Sequence, residues 1–319
     1  MVAIGFHAAH EQIGPSALLR DVQRAEQAGF AAAMCSDHVN PWSTAQGHSG
    51  HAWSWLGAAL ATTALSFGTV TAPGQRYHPV VTAQAAATLS AMFPGRFWLA
   101  LGSGENINES VTGEPWPRKD IRQQRLLECV DIIRRLLAGE TVTHDGLVTV
   151  ENAKLWDRPT VPPRLIAPAV SVTTAAEAAS WADGLITVNQ PRNQLERMVG
   201  AYRDAGGRGP AMLQVHLCWA PTAEEAMAIA RAQWPSSSFG PPLTWDLPTV
   251  EHFDALGRHA SDDDIRRSAL ISADLGQHAA WLHELAEVGF DELYLHHIGQ
   301  DQSPFIDTFA EKVLPDFRE

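Results

Sequence analysis

The alternation of short apolar runs with longer segments of helical period is the feature that most constrains the fold. Eight apolar runs have the length of strands, and each belongs to a repeating strand–helix unit. The runs are continuously apolar, which indicates strands buried on both faces of a parallel sheet. Eight such units favour a closed (β/α)8 TIM barrel over an open doubly wound sheet. The predicted strands are Val2–Phe6, Ala31–Cys35, Ser66–Thr71, Arg96–Leu101, Arg164–Ala167, Gly184–Val188, Leu213–Trp219 and Glu292–His296.

The pattern predicts one barrel domain over residues 1–319, interrupted by two insertions. Residues 139–163 contain a hairpin that turns at Asp145-Gly146, a dipeptide typical of tight hairpin turns. Residues 235–263 are rich in Pro, Ser, Gly and Asp, which favours a lid or another excursion from the barrel. No Gly-x-Gly-x-x-Gly follows the first strand, and this argues against a dinucleotide-binding sheet.

Charge and cysteine usage narrow the possible partners. The formal net charge is -13 and Lys and Arg form no cluster, so nucleic-acid binding is not expected. The apolar stretches are too short or too interrupted to span a bilayer, so no membrane contact is predicted. We expect a cytoplasmic enzyme acting on a small-molecule substrate. The cysteines have no metal-binding spacing and are predicted to be buried free thiols: Cys35, Cys129 and Cys218.

Unusual polar side chains follow the predicted strands, where the active sites of such barrels form. Asp37, His38 and Trp42 come after the second strand, and Glu105 and Asn108 come after the fourth. Taken alone, Asp37 is explained as well by a helix cap. An imidazole, an indole and a carboxylate that meet at one barrel mouth instead predict catalytic roles for His38, Trp42 and Glu105.

Other histidines raise the alternative of a metal-dependent hydrolase. His7 and His10 lack the spacing of a barrel hydrolase, and no His-Glu-x-x-His occurs, so no metal is predicted. Glu11, His216 and His296 lie at the ends of the first, seventh and eighth strands and are assigned to a substrate pocket. The remaining helical or inserted histidines are expected at the surface: His144, His252, His259, His278 and His283.

Three motifs in one order resemble the luciferase-like monooxygenase superfamily: Ser36–Trp42, Gly68–Pro79 and Leu101–Glu109. The chain is similar to the branch that contains the deazaflavin-dependent glucose-6-phosphate dehydrogenases. It is most similar to a sister branch whose members are predicted to use FMN. The resemblance implies a luciferase-like barrel with a flavin-type ring at its mouth, and we expect FMN, with the deazaflavin coenzyme F420 as the alternative.

The resemblance also implies roles for individual residues. His38 would lie beside the reactive face of the ring, Trp42 near the substrate, and Glu105 would supply or accept a proton. Thr69 and Val70 would form a bulge, often with a non-proline cis peptide. The end of the fifth strand and the start of the helix after it, Ala167–Thr174, would bind a cofactor phosphate on helix N-terminal amides. The residues expected to contact the cofactor are Asp37, Thr69, Val70, Ala72, Asn108, Pro168, Ala169 and Val170.

The implied activity is hydride transfer between a small organic substrate and the ring, or monooxygenation with FMN. A non-catalytic flavin-binding protein stays a third reading. The resemblance further implies a homodimer and, for a monooxygenase, a separate flavin reductase. The lysines expected to hold a sugar phosphate have no clear counterpart, so the substrate is left open. Only approximate substitutes occur: Arg192, Arg197, Arg266 and Arg267.

Overall fold

Each of the eight apolar runs predicted to form a strand does so in the computed structural model, which describes residues 2–318. Eight parallel strands close into a barrel, in the order β1, β2, β3, β4, β7, β8, β9 and β11. The predicted TIM barrel is therefore confirmed. The strands are β1 Ala3–Ala8, β2 Ala32–Ser36, β3 Ser66–Thr71, β4 Phe97–Leu101, β5 Val142–Asp145, β6 Thr149–Ala153, β7 Arg164–Pro168, β8 Gly184–Val188, β9 Ala211–Trp219, β10 Leu270–Ser272 and β11 Glu292–His297.

Helices cover the outside of the barrel, and their apolar faces pack against the strands. Most coincide with predicted segments. Four short ones, α4, α9, α10 and α11, were not predicted. The helices are α1 Pro15–Ala28, α2 Ala52–Thr62, α3 Pro79–Met92, α4 Asn106–Glu109, α5 Lys119–Ala138, α6 Val172–Ala178, α7 Arg192–Asp204, α8 Ala223–Gln233, α9 Leu243–Asp246, α10 Val250–Gly257, α11 Asp262–Ser268, α12 Leu275–Glu287 and α13 Ser303–Lys312.

Two large aromatic side chains fill the barrel interior and form the floor beneath its mouth. Trp98 and Tyr294 lie with ring centroids 5.8 Å apart, and the indole nitrogen donates to the phenol oxygen at 3.3 Å. Two glycines make room for them. A Cβ at Gly68 would lie 1.9 Å from the Trp98 ring, and one at Gly5 would lie 2.5 Å from the Tyr294 ring. The sequence thus places Gly where an interior ring needs space.

Both predicted insertions exist, but the second is more ordered than a loop. Strands β5 and β6 form the antiparallel hairpin expected within residues 139–163. Residues 235–263 contain α9 and α10, and the side chain of Thr249 caps α10. Strand β10 then pairs with the end of β9. The Pro-rich composition hid these short elements because local caps and packing, not helical period, define them.

Burial confirms one composition-based prediction and corrects another. Cys35, Cys129 and Cys218 are buried and free. His278, expected at the surface, is buried against Phe309 because α12 turns it inward toward the last helix. Within residues 2–318, no helix has both the length and the apolar character needed to cross a membrane.

Candidate active site

A buried carboxylate anchors the loop that follows β2. Asp37 accepts hydrogen bonds from the indole nitrogen of Trp53 at 3.0 Å and from the hydroxyl of Thr71 at 2.7 Å. Arg76 pairs with the same carboxylate at 3.3 Å and, on its other side, with Glu109 at 3.5 Å. The Asp37 carboxylate is thus fully engaged by protein groups. It positions the loop, and its contact with a cofactor stays a prediction.

His38 lies between two carboxylates at the barrel mouth. Its Nδ1 is 2.5 Å from Oε1 of Glu11, and its Nε2 is 3.7 Å from Oε2 of Glu105. The side chain of Asn108 donates to Glu105 at 3.4 Å and accepts from the backbone N–H of Val39 at 2.9 Å. The loops after β1, β2 and β4 therefore contribute Glu11, His38 and Glu105 respectively. The meeting of His38 and Glu105 was predicted, but the pairing of Glu11 with His38 was not.

The two carboxylates set the protonation of His38. Burial alone would lower the pKa of this imidazole, but the charge of Glu11, helped by Glu105, outweighs it and raises the pKa above its usual value. Burial raises the pKa of Glu105, although His38 opposes the effect. Burial likewise acts to raise the pKa of Glu11, but the contact with His38 prevails and lowers it to about 2. Glu11 is therefore the ionised partner, and Glu105 is the carboxyl that holds a proton more readily.

Trp42 joins His38 to the segment that covers the mouth. Its ring meets that of His38 edge to face at 5.0 Å and packs on Phe253 of α10 at 5.1 Å. Its backbone carbonyl accepts from the hydroxyl of Ser236. Residues 235–263, which are predicted to form a lid, thus contact the loop after β2 directly through Trp42.

A second group of side chains lines the mouth at strands β1, β9 and β11. His7 stacks on His296 with ring centroids 4.4 Å apart, and His216 meets His296 at 5.4 Å. Trp234 covers both His216 and His296, at 4.7 and 5.3 Å. Together with Gln214 these side chains form what we call the histidine wall. The structure brings His216 and His296 together with Glu11 in one cavity, as predicted for the substrate pocket.

A single cavity of about 860 Å³ joins these groups to the ends of β3, β4 and β7. This volume is in the range of sites for drug-sized ligands. The cavity is lined by every residue assigned to the cofactor except Thr69, which is buried in β3. The residues from that assignment that reach the cavity are Asp37, Val70, Ala72, Asn108, Pro168, Ala169 and Val170.

The backbone of β3 corrects one expectation. No bulge and no cis peptide occurs at Thr69–Val70, because β3 pairs in regular register with β2 and β4 over both residues. Among residues 2–318 the one cis bond is Pro241–Pro242. At α6, the side chain of Ser171 already accepts from the amide of Thr174, so that amide is not free for a phosphate.

Sequence reasoning missed the residues that act through other residues. Arg76 and Glu109 hold Asp37, and Gln12 supports His296. Gln214 and Trp234, two members of the histidine wall itself, were also missed. Arg76 and Glu109 stood within motifs already noted, directly after strands, and their position was a usable signal. Two histidines of the segment between β2 and α2 do not line the cavity. His51 caps α2, and His48 is exposed.

Comparison with known proteins settles the family. The luciferase-like monooxygenase family matches residues 2–292 of the chain. The chain belongs to this family. The match spans the loop after β2, residues 235–263 and every member of the histidine wall except His296. The family assignment and the geometry therefore concern the same site. The resemblance expected from the three sequence motifs is confirmed.

Several relatives of this luciferase-like protein are enzymes of named activity. An F420-dependent glucose-6-phosphate dehydrogenase of Beutenbergia cavernae is 34% identical over 100% of this chain and 98% of its own. An F420-dependent hydroxymycolic acid dehydrogenase of Mycobacterium tuberculosis is 31% identical over 99% of this chain and 88% of its own. The structure of an F420-dependent secondary alcohol dehydrogenase with an F420–acetone adduct superposes with a TM-score of 0.92. It is 28% identical and covers 100% of this chain and 99% of its own.

These relatives confirm the coarse prediction, that the protein is an oxidoreductase of the luciferase-like family. They do not support the preference for FMN. All three relatives named above are F420-dependent enzymes. The three sequence motifs lie at the barrel mouth and do not distinguish an FMN ring from an F420 ring. They therefore predicted either cofactor.

Proposed function

We propose that this protein is an F420-dependent dehydrogenase that oxidises a hydroxyl group to a carbonyl, or catalyses the reverse. The observation that carries the proposal is His38, held between Glu11 at 2.5 Å and Glu105 at 3.7 Å in a cavity large enough for a ring and a substrate. The F420-dependent relatives named above support the choice of cofactor.

The cavity fits a flavin-type ring with an acidic side chain. Small residues at the ends of β4 and β7, Gly102, Ala167 and Ala169, leave room for a flat ring. Lys119 and Arg122 line the same cavity after β4 and would face the negatively charged tail. When bound, F420 would supply the two-electron acceptor that takes a hydride from the carbinol carbon.

His38 would manage the proton that accompanies the hydride. Glu11 lies 2.5 Å from Nδ1, and its charge favours the proton of the neutral imidazole on that nitrogen, which leaves Nε2 as the base. Nε2 would take the hydroxyl proton as the carbonyl forms, so the alcohol loses one hydride and one proton. Glu105, the carboxyl with the raised pKa, lies beside Nε2. It can take that proton from His38 and release it to solvent in the cavity. Trp42 excludes water above His38.

Titration of the purified protein with F420 and with FMN tests the cofactor. We expect saturable binding of F420, followed by quenching of its fluorescence, and binding of FMN at least tenfold weaker. Tighter binding of FMN than of F420 would overturn the proposed cofactor.

The variant His38→Ala tests the base. General-base catalysis contributes about 10² to 10⁴ in rate, so we expect kcat to fall at least a hundredfold while the Kd for F420 changes less than threefold. His283→Ala, at an exposed position on α12, is the matched control and should leave both unchanged. A His38→Ala enzyme with normal kcat would refute the mechanism.

A further inference from the structure

The histidine wall is an uncharged surface beside the catalytic imidazole. Burial lowers the pKa of His7 to about 4 and that of His216 to about 3, so both rings are neutral near pH 7. Two basic side chains, Lys119 and Arg122, line the described cavity, and both follow β4, across the barrel from β1, β9 and β11. A substrate group that contacts the wall therefore meets no cation on the wall itself.

A chain of hydrogen bonds fixes the position of the proton on two rings of the wall, His296 and His216. The side-chain nitrogen of Gln12 donates to the carbonyl of Ile298 at 2.5 Å, so its oxygen is the atom that faces His296. Nε2 of His296 lies 2.7 Å from that oxygen and must carry the proton. Nδ1 of the neutral His296 is then an acceptor, and it accepts a hydrogen bond from the side-chain nitrogen of Gln214 at 3.2 Å.

The chain continues from Gln214 to His216. The second hydrogen of the same amide nitrogen points at Nε2 of His216, 3.1 Å away, which makes that nitrogen an acceptor. The neutral His216 therefore carries its proton on Nδ1. The side chain of Asn189 accepts a hydrogen bond from the backbone N–H of His216 at 2.9 Å and donates one to the backbone carbonyl of His216 at 3.0 Å. The tautomer and the position of this ring are both set by the protein.

Gln214 and His216 each leave one polar group for a ligand. Within residues 2–318, neither Nδ1–H of His216 nor the side-chain oxygen of Gln214 has a hydrogen-bond partner. Gln214 and His216 are two residues apart on β9, so both side chains point to the same face, and both line the cavity. One donor beside one acceptor matches a hydroxyl group, which can accept from the first and donate to the second.

We infer that Gln214 and His216 bind a second hydroxyl group of the substrate, which is an uncharged diol or a larger neutral polyol. The inference rests on the proposed function, since it takes oxidation of the first hydroxyl at His38 as given. A phosphate or carboxylate at the wall would be desolvated without a cation and would face the ionised Glu11. Phosphorylated sugars are therefore poor substrates.

A substrate panel on the F420-loaded enzyme tests the substrate class. Linear vicinal and 1,3-diols are each compared with the mono-alcohol of the same length, and glucose 6-phosphate is included. Two neutral hydrogen bonds predict that the best diol exceeds its mono-alcohol by roughly tenfold in kcat/KM, mainly through KM. Binding of the matching hydroxyketone to the oxidised complex, followed by cofactor fluorescence, gives a readout without turnover.

Variants at His216 test the assigned group. His216→Phe keeps a ring against Trp234 but removes the donor, so the preference for the diol should fall to within about twofold. His216→Asn places an amide N–H near the position of Nδ1 and should retain most of the preference. His283→Phe, an exposed ring on α12, should leave the preference unchanged. Melting temperatures check that each variant is folded, and the wild-type panel decides the substrate class if His216→Phe does not fold.

The possible results separate the two levels of the proposal. Failure to bind F420 would overturn the proposed function and, with it, this inference. F420 binding with glucose 6-phosphate as the best substrate would overturn the inference and leave the dehydrogenase function standing. Three other results would also overturn the inference. They are equal kcat/KM for diols and mono-alcohols, no reduction of F420 by any diol, and an unchanged preference for the diol in His216→Phe. A diol preference lost in His216→Phe and kept in His216→Asn would support it.

Discussion

Replacement of Arg76 by Met should be among the most destabilising changes near the site. The Arg76 side chain is 8% exposed, and the carboxylates of Asp37 and Glu109 are 0% and 3% exposed. Met fills a similar volume but leaves two buried carboxylates without a cation. Breaking a buried ion pair in this way costs about 3–5 kcal/mol, against a typical unfolding free energy of about 5–15 kcal/mol.

The stability that Arg76→Met loses should depend on pH. Burial raises the pKa of Glu109, and Arg76 opposes this effect, so the pKa rises further in the variant. A carboxyl whose folded-state pKa is raised destabilises the protein at high pH, and this cost disappears as the pH falls through that pKa. The difference between wild type and Arg76→Met should therefore be largest near pH 7 and smaller near about pH 5.

Urea unfolding followed by far-UV circular dichroism at both pH values measures the difference. Arg24→Met is the matched control, because the pair of Arg24 with Asp307 is about half exposed and should be worth no more than about 1 kcal/mol. A loss in Arg76→Met that equals the control, or that is the same at both pH values, would show that the buried charges do not decide stability here.

Two further substitutions test the site and the barrel interior. The variant Glu11→Gln removes the carboxylate that raises the pKa of His38. In the pH profile of kcat/KM for alcohol oxidation, the acidic limb should therefore move to lower pH. An acidic limb at the same pH as in the wild type would argue against the ion pair. In Gly68→Ala the new methyl would lie 1.9 Å from the Trp98 ring, and overpacking should cost at least about 1–3 kcal/mol in urea unfolding. Gly57→Ala on α2, where nothing lies within 4 Å, should instead stabilise the protein by up to about 1 kcal/mol; equal effects would refute the packing argument.

The sequence predicted the features that depend on local pattern. Strands such as Ser66–Thr71 and Gly184–Val188 were placed to the residue, because continuous apolar runs bounded by turns leave little choice of boundary. His38 and Glu105 were found because a barrel delivers the ends of its strands to one mouth. Period and topology were enough for both.

What the sequence could not show are contacts between distant residues. Gln12 and His296 are separated by 284 positions, and no spacing rule connects them. The family resemblance implied a bulge at Thr69–Val70, and the regular backbone there shows that this expectation was wrong. The choice between FMN and F420 depends on ring contacts that the shared motifs do not distinguish.

The pairing of β9 has a consequence for how substrate preference can change. One edge of β9 pairs with β11 up to Leu217, while its other edge pairs first with β8 and then, at residues 217–219, with β10. The chain between β9 and β10 thus leaves the barrel and returns to the strand it left. We expect this excursion to be exchangeable as a cassette. Its remodelling would alter which alcohols reach His38, while the eight barrel strands keep their pairing.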